Sequence, residues 1–209
     1  MTNIPGLGYQ HWTAVVEGKG PNPPSPPCIS VAGLGVLPAI TKSLISVAAY
    51  TVTIEFTASG AMNGAVLGPS KQLFYRAQAE LGNPNYTFIT DLSGRRVGSI
   101  EWGKQTMIEI AGRIQKQSAL KFVSFQSDDS RLRTMNVLGP DRYVWSFGEG
   151  GLLLYRYNAN SRNYEAIAKM KHLQTNTVTL ELNAIAVQAA LLPVCAMAAW
   201  IFQAGSRVH

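Results

Sequence analysis

This sequence predicts a mainly β domain over residues 49–209: a closed antiparallel β-barrel of about twelve strands around a hydrophobic C-terminal helix. Three observations carry that expectation. From Tyr50 onward the chain falls into short runs rich in Val, Ile, Thr and aromatics, residues that suit a pleated, half-buried surface. Clusters of Gly, Asn, Asp and Ser separate these runs and supply turns. The segment Asn183–Gln203 then breaks the rhythm, being apolar for roughly six helical turns and rich in Ala and Leu.

Residues 1–48 read as a Pro-rich, largely flexible tail. "GKGPNPPSPPC", Gly18 to Cys28, buries little and is expected to be extended and polyproline-like. A plain spacer is the better reading, and a protein partner reached through these prolines is the alternative. The apolar stretch "ISVAGLGVLPAI" that follows is broken by Gly33, Gly35 and Pro38, and its pattern assigns it to no element.

The candidate strands follow in order as "YTVTIEFT", "GAVLG", "KQLFYRAQAE", "YTFITD", "RVGSIEWG", "TMIEIAG", "LKFVSF", "RLRTMNV", "RYVWSF", "LLLYRYN", "YEAIAKMKH" and "TVTLEL". "DLSGR", "GPD" and "GEGG" are expected hairpin turns. In the ninth run Tyr143, Trp145 and Phe147 alternate with Arg142, Val144 and Ser146, so the aromatics share one face, taken as inward. Trp102 is expected to serve likewise. "GEGG" lacks the Lys-Ser/Thr of a phosphate loop and reads as a turn.

Ala184–Phe202 is expected to form one helix. At 19 residues it approaches the length of a membrane anchor, but Gln188, Pro193 and the many alanines weigh against spanning. A helix apolar on all faces can equally be buried in protein, and the lumen of a barrel of about a dozen strands is wide enough to hold one. Burial is the preferred reading.

Only 14% of the 209 residues are charged, against a usual value of about 25%. The net charge of +6 lies wholly downstream of residue 70, because Lys19 and Lys42 cancel Glu17 and Glu55 before it. Such a balance favours anionic partners in general, and simple solubility is the plainer reading. Between residues 95 and 133 stand Arg95, Arg96, Lys104, Arg113, Lys116, Lys121, Arg131 and Arg133, with Glu101, Glu109, Asp128 and Asp129 opposing them.

Chemistry is sparse. Cys28 and Cys195 make no disulfide framework, and "MTNIPGLGYQHW" lacks a basic n-region and early apolar core, so a cytoplasmic, reducing location is expected. His11, His172 and His209 are scattered, with no metal-ligand spacing. Ser118-Ala-Leu-Lys121 matches Ser-x-x-Lys, but its companion motifs are missing and a strand-rich context is expected there. No catalytic residue, metal or cofactor is assigned.

The ordered series "GRRVGSIEWG", "TMIEIAG", "SRLRTMNVLGPDRYVWSF" and "YEAIAKMKH" resembles a fungal family of the tubby C-terminal-like superfamily, related to tubby, the phospholipid scramblases and the plant LURP-one-related proteins. The resemblance covers residues 50–209. It departs at Gly139-Pro140-Asp141-Arg142, where the family carries glycine after the aspartate, so the turn geometry is expected to differ. It implies a tubby-like barrel, no enzymatic activity, and the use of surface Lys and Arg on anionic phospholipid or phosphoinositide headgroups, peripherally at membranes. The candidates for that role are Arg95, Arg96, Lys116, Lys121, Arg131 and Arg133. The alternative is a protein-protein interaction module using the barrel surface and the Pro-rich tail. Nucleic acid is not expected, because exposed aromatics are not interleaved with the cations.

Overall fold

The computed structural model of the chain describes residues 50–57, 60–126, 129–148, 150–158, 163–174 and 176–204. The tail expected over residues 1–48 lies outside the described residues, as do His11, Cys28 and His209.

The thirteen strands are β1 (Tyr50–Thr57), β2 (Gly60–Leu67), β3 (Leu73–Glu80), β4 (Asn83–Asp91), β5 (Arg96–Glu101), β6 (Met107–Ile110), β7 (Ile114–Ser118), β8 (Val123–Gln126), β9 (Asp129–Met135), β10 (Arg142–Gly148), β11 (Gly151–Asn158), β12 (Asn163–Gln174) and β13 (Thr177–Leu182). Helices are α1 (Ala119–Phe122), α2 (Ala184–Gln188) and α3 (Leu192–Ala204). Each of the twelve runs read from the sequence overlaps a strand, although Leu120–Phe122 of "LKFVSF" belong to α1 and only the second half of that run is extended. The thirteenth, β7, reads "IQKQS" and was not anticipated: of its side chains only Ile114 is fully buried, so it carries almost no apolar alternation.

All thirteen strands form one sheet in the order β7-β6-β5-β4-β3-β2-β1-β13-β12-β11-β10-β9-β8. Chain neighbours pair everywhere except at β7 and β8, which form the two ends of the sheet, and β1 joins β13 with Tyr50 opposite Leu182. The helix α3 touches both arms of this sheet. Trp200 meets Phe56 of β1 edge-on at 5.9 Å, and Phe202 meets Trp145 of β10 at 5.9 Å. A Cβ added to Gly98 of β5 would lie 3.5 Å from Met197. Laid flat, β5 and β10 would stand about 38 Å apart, eight strand spacings, whereas a helix with its side chains is about 10–12 Å across. The sheet therefore curls around α3, whose residues Val194 to Ile201 are all buried.

The expected closure does not occur. Every ladder is antiparallel, so an odd number of strands leaves the two end strands, β7 and β8, running in the same direction. A parallel pair needs a crossover of a dozen or more residues, and α1 supplies four. The seam between them stays unladdered. Among the described residues one backbone bond crosses it, from Leu138 N–H to the Arg113 carbonyl at 2.9 Å.

The single C-terminal helix is also corrected. Asn183 caps α2 by accepting the Ala186 N–H at 2.9 Å, but the helix stops at Gln188, and Ala190 takes φ 50. Pro193 is the cause: it has no N–H for the carbonyl of residue 189, and its ring clashes with that carbonyl in a continuous helix. Only α3 is enclosed. Among the described residues no helix is long and apolar enough to cross a membrane.

The inward aromatics behave as expected, Tyr143, Trp145 and Trp102 being buried in the core cluster. Gly148 opposite Gly151 closes the β10–β11 hairpin, so "GEGG" is a turn.

Candidate functional site

Strand direction sorts the connections onto two rims. The β2–β3, β4–β5, β6–β7 and β9–β10 turns gather at the rim where β13 passes into α2, here the α2 rim. Three of them interlock. Asp91 organises the β4–β5 turn, its carboxylate accepting Ser93 N–H at 3.0 Å, Ser93 Oγ–H at 2.6 Å and Arg95 N–H at 3.0 Å, with Gly94 at φ 77. Its pKa falls below the usual carboxylate value, chiefly through the Ser93 hydrogen bond. Ala111 N–H donates to Val97 C=O at 3.0 Å, and Leu138 N–H donates to Arg113 C=O at 2.9 Å. These bonds bring Arg95, Arg96 and Arg113 onto one stretch of rim. Leu92 and Leu138, 71% and 52% exposed, project from the same turns. Lys71 stands in the β2–β3 turn and Arg142 beside the β9–β10 turn, so among the described residues of these four turns there are five cations, with Asp91 and Asp141 as the carboxylates.

Of the six cations expected at a lipid site, the five whose side chains are described do not converge on one patch. Arg95 pairs with Asp91 at 3.1 Å and remains 79% exposed. Arg96 lies just beneath the rim: a bulge at Ile89/Thr90 sets it opposite Thr90 on the outer face, and its guanidinium covers the Phe88 ring at 3.8 Å and donates to Tyr86 Oη at 3.1 Å. Lys116 is bound to Glu101 at 2.9 Å, at the opposite end of β5 from Arg96 and about 16 Å away along the strand. The Glu101 hydrogen bond, with its charge, lifts the Lys116 pKa above the usual value. Lys121 is exposed on α1. Arg133 lies opposite Trp145 and so faces the concave side, its guanidinium 5.4 Å from the Phe147 ring centre. The backbone of Arg131 belongs to β9, and its side chain lies outside the described residues.

Arg113 belonged to the wider basic set, but Leu92 and Leu138 passed unnoticed. Their one signal in the sequence was an apolar residue inside a turn cluster, "DLSG" and "VLGPD".

A groove of about 540 Å³ opens on the outer face, lined by Gln78, Glu80, Leu81, Phe88, Thr90 and Arg96 among others. Nothing in it resembles a catalytic constellation. Ser118 does begin a short helix, contrary to the strand-rich context expected, but its Oγ accepts the Lys121 backbone N–H at 3.2 Å and so serves as a cap. Cys195 is wholly buried in α3, and burial pushes its thiol up to about 12, away from nucleophilic use. Among the described residues no group of His, Cys, Asp and Glu is placed to hold a metal.

No protein-family model matches this chain, and no curated protein matches it. Among solved structures it is similar to the X-ray structure of a protein from Arabidopsis thaliana, with 14% identity, 69% of this chain and 89% of that chain covered, and a TM-score of 0.35.

Proposed function

We propose that the protein is a non-enzymatic, intracellular, tubby-like protein that docks peripherally on membranes by binding anionic phospholipid, phosphoinositide headgroups included, through its α2 rim. One observation carries the reading: interlocked turns put Arg95, Arg96 and Arg113 beside the exposed Leu92 and Leu138. A cation held near an anionic leaflet contributes about 1 kcal/mol, and a leucine carried fully into an apolar phase contributes about 1.5–3 kcal/mol. A handful of such side chains gives reversible attachment. The motif series that resembles the tubby superfamily supports the same reading, with Arg95 and Arg96 kept from the six candidates and Arg113 joined to them at the rim.

Co-sedimentation with vesicles tests it. The full chain is expected to bind vesicles containing acidic lipid, to bind neutral vesicles poorly, and to release as salt rises, since exposed charges are screened beyond about 8 Å at physiological ionic strength. Leu92→Asp with Leu138→Asp, and separately Arg95→Glu with Arg113→Glu, should abolish binding, while Arg133→Glu should leave it intact. Equal binding to neutral and acidic vesicles, or rim variants that bind as the parent does, would sink the proposal.

A second reading, a protein-interaction module, is favoured by the groove on β3 to β5, where Leu81 is fully exposed beside the half-buried Phe88. A partner held there would be lost on Phe88→Ala and indifferent to the rim variants.

A further inference from the structure

Ser93 stands between two of the exposed groups on which the lipid reading of the α2 rim depends, Leu92 before it and Arg95 beyond Gly94. Among the described residues Ser70 and Ser93 are the exposed serines. Both lie in turns of this rim, but only Ser93 is followed by arginines, Arg95 and Arg96, at the second and third positions. Its hydroxyl also holds the turn together. It donates to Asp91 Oδ1 at 2.6 Å, the shortest of the bonds that this carboxylate accepts from Ser93 and Arg95. Every residue from Leu92 to Arg96 is exposed, so the turn can be drawn into an enzyme cleft without uncovering the core.

We infer that Ser93 is a phosphorylation site, used by a serine kinase selective for basic substrates, and that its phosphate releases the rim from anionic lipid; the inference rests on the lipid reading of that rim. ATP is the donor. Ser93 Oγ attacks the γ-phosphorus, the bond to the bridging oxygen of ADP breaks, and the hydroxyl proton passes to the kinase's catalytic aspartate. Arg95 and Arg96 supply the cations that such a kinase pairs with its own carboxylates. Two effects of the product act in the same direction. A phosphoserine adds about −1.5 to −2 charges, so the excess of three cations over carboxylates in the four rim turns falls to little more than one. The esterified oxygen also has no hydrogen left to donate, and it carries a dianion to within reach of the Asp91 carboxylate that it had bonded. The turn that presents Leu92 and Arg95 loses its closest bond, and Arg95 and Arg96 gain a phosphate in their own chain that competes with lipid headgroups for their N–H groups.

Kinase treatment of the full-length chain tests the inference. A panel of basophilic serine kinases with ATP and magnesium should label Ser93, as located by mass spectrometry. Affinity for phosphatidylcholine vesicles containing phosphatidylserine should then fall roughly 10- to 30-fold, at the contribution of one surface cation for each charge added, and recover on phosphatase treatment. Ser93→Ala should bind equally before and after kinase treatment. If the untreated chain fails to bind these vesicles, the lipid reading fails and takes this inference with it. If the untreated chain binds, but the whole panel leaves Ser93 unmodified or the chain phosphorylated at Ser93 binds as tightly as before, the lipid reading stands and the inference is overturned. A fall in affinity that persists in kinase-treated Ser93→Ala also overturns it, because another residue then carries the effect.

Discussion

The two enclosed tryptophans differ in one respect that stability measurements can isolate. Trp145 and Trp200 are both fully buried, and both meet a phenylalanine edge-on at 5.9 Å. The indole N–H of Trp145 donates to Met135 Sδ at 3.3 Å, whereas that of Trp200 has no acceptor among the described residues. Replacing either by Phe removes similar apolar bulk, costing about 2 kcal/mol in lost transfer and residual cavity. At Trp200 the change also removes a buried unpaired donor, whose desolvation costs about 1–3 kcal/mol, so the two effects nearly cancel. At Trp145 nothing is relieved, and a hydrogen bond to a weak acceptor is lost. Trp145→Phe should therefore be the less stable variant by about 2 kcal/mol, which is about 4–8 °C in Tm for a domain of this size. Urea unfolding followed by circular dichroism, with unchanged m-values, measures the gap. Equal losses, or a larger loss at Trp200, would refute the reasoning and mean that the Trp200 N–H is satisfied in solution.

Two further outcomes are expected. Gly151 has φ 128, and a Cβ there would press into the Met170 carbonyl, while Gly82, at φ 88, faces open space; Gly151→Ala should lower Tm well beyond the change from Gly82→Ala, for which backbone strain of about 1 kcal/mol is the main term. Cys195, with its thiol held near 12 by burial, should resist alkylation in the folded protein even at pH 9 and react at the rate of unfolding; rapid modification under native conditions would contradict the enclosure of α3.

The strands were legible because each carries its signal locally. "TVTIEFT" and "RYVWSF" alternate with period two, and "DLSGR" announces a turn through an aspartate that caps it and a glycine that takes the positive φ. β7 escaped because a strand paired on one side with a single buried side chain has no pattern to show. The break in the C-terminal helix was written in Pro193, but the apolar composition around it outweighed that signal.

Composition, alternation and turn chemistry thus determined by themselves that the chain is mainly β, that its aromatics point inward, and that a small-residue apolar segment would be enclosed; each is a property of neighbouring residues. The open seam, the pairing of Lys116 with Glu101, the inward placement of Arg133, and the meeting of Arg95 and Arg113 with Leu92 and Leu138 were decided only by tertiary structure. Each depends on which strands lie side by side and in which direction they run. The linear order of charges cannot hold that information, because residues 25 apart, such as Arg113 and Leu138, become hydrogen-bonded neighbours only when the sheet curls.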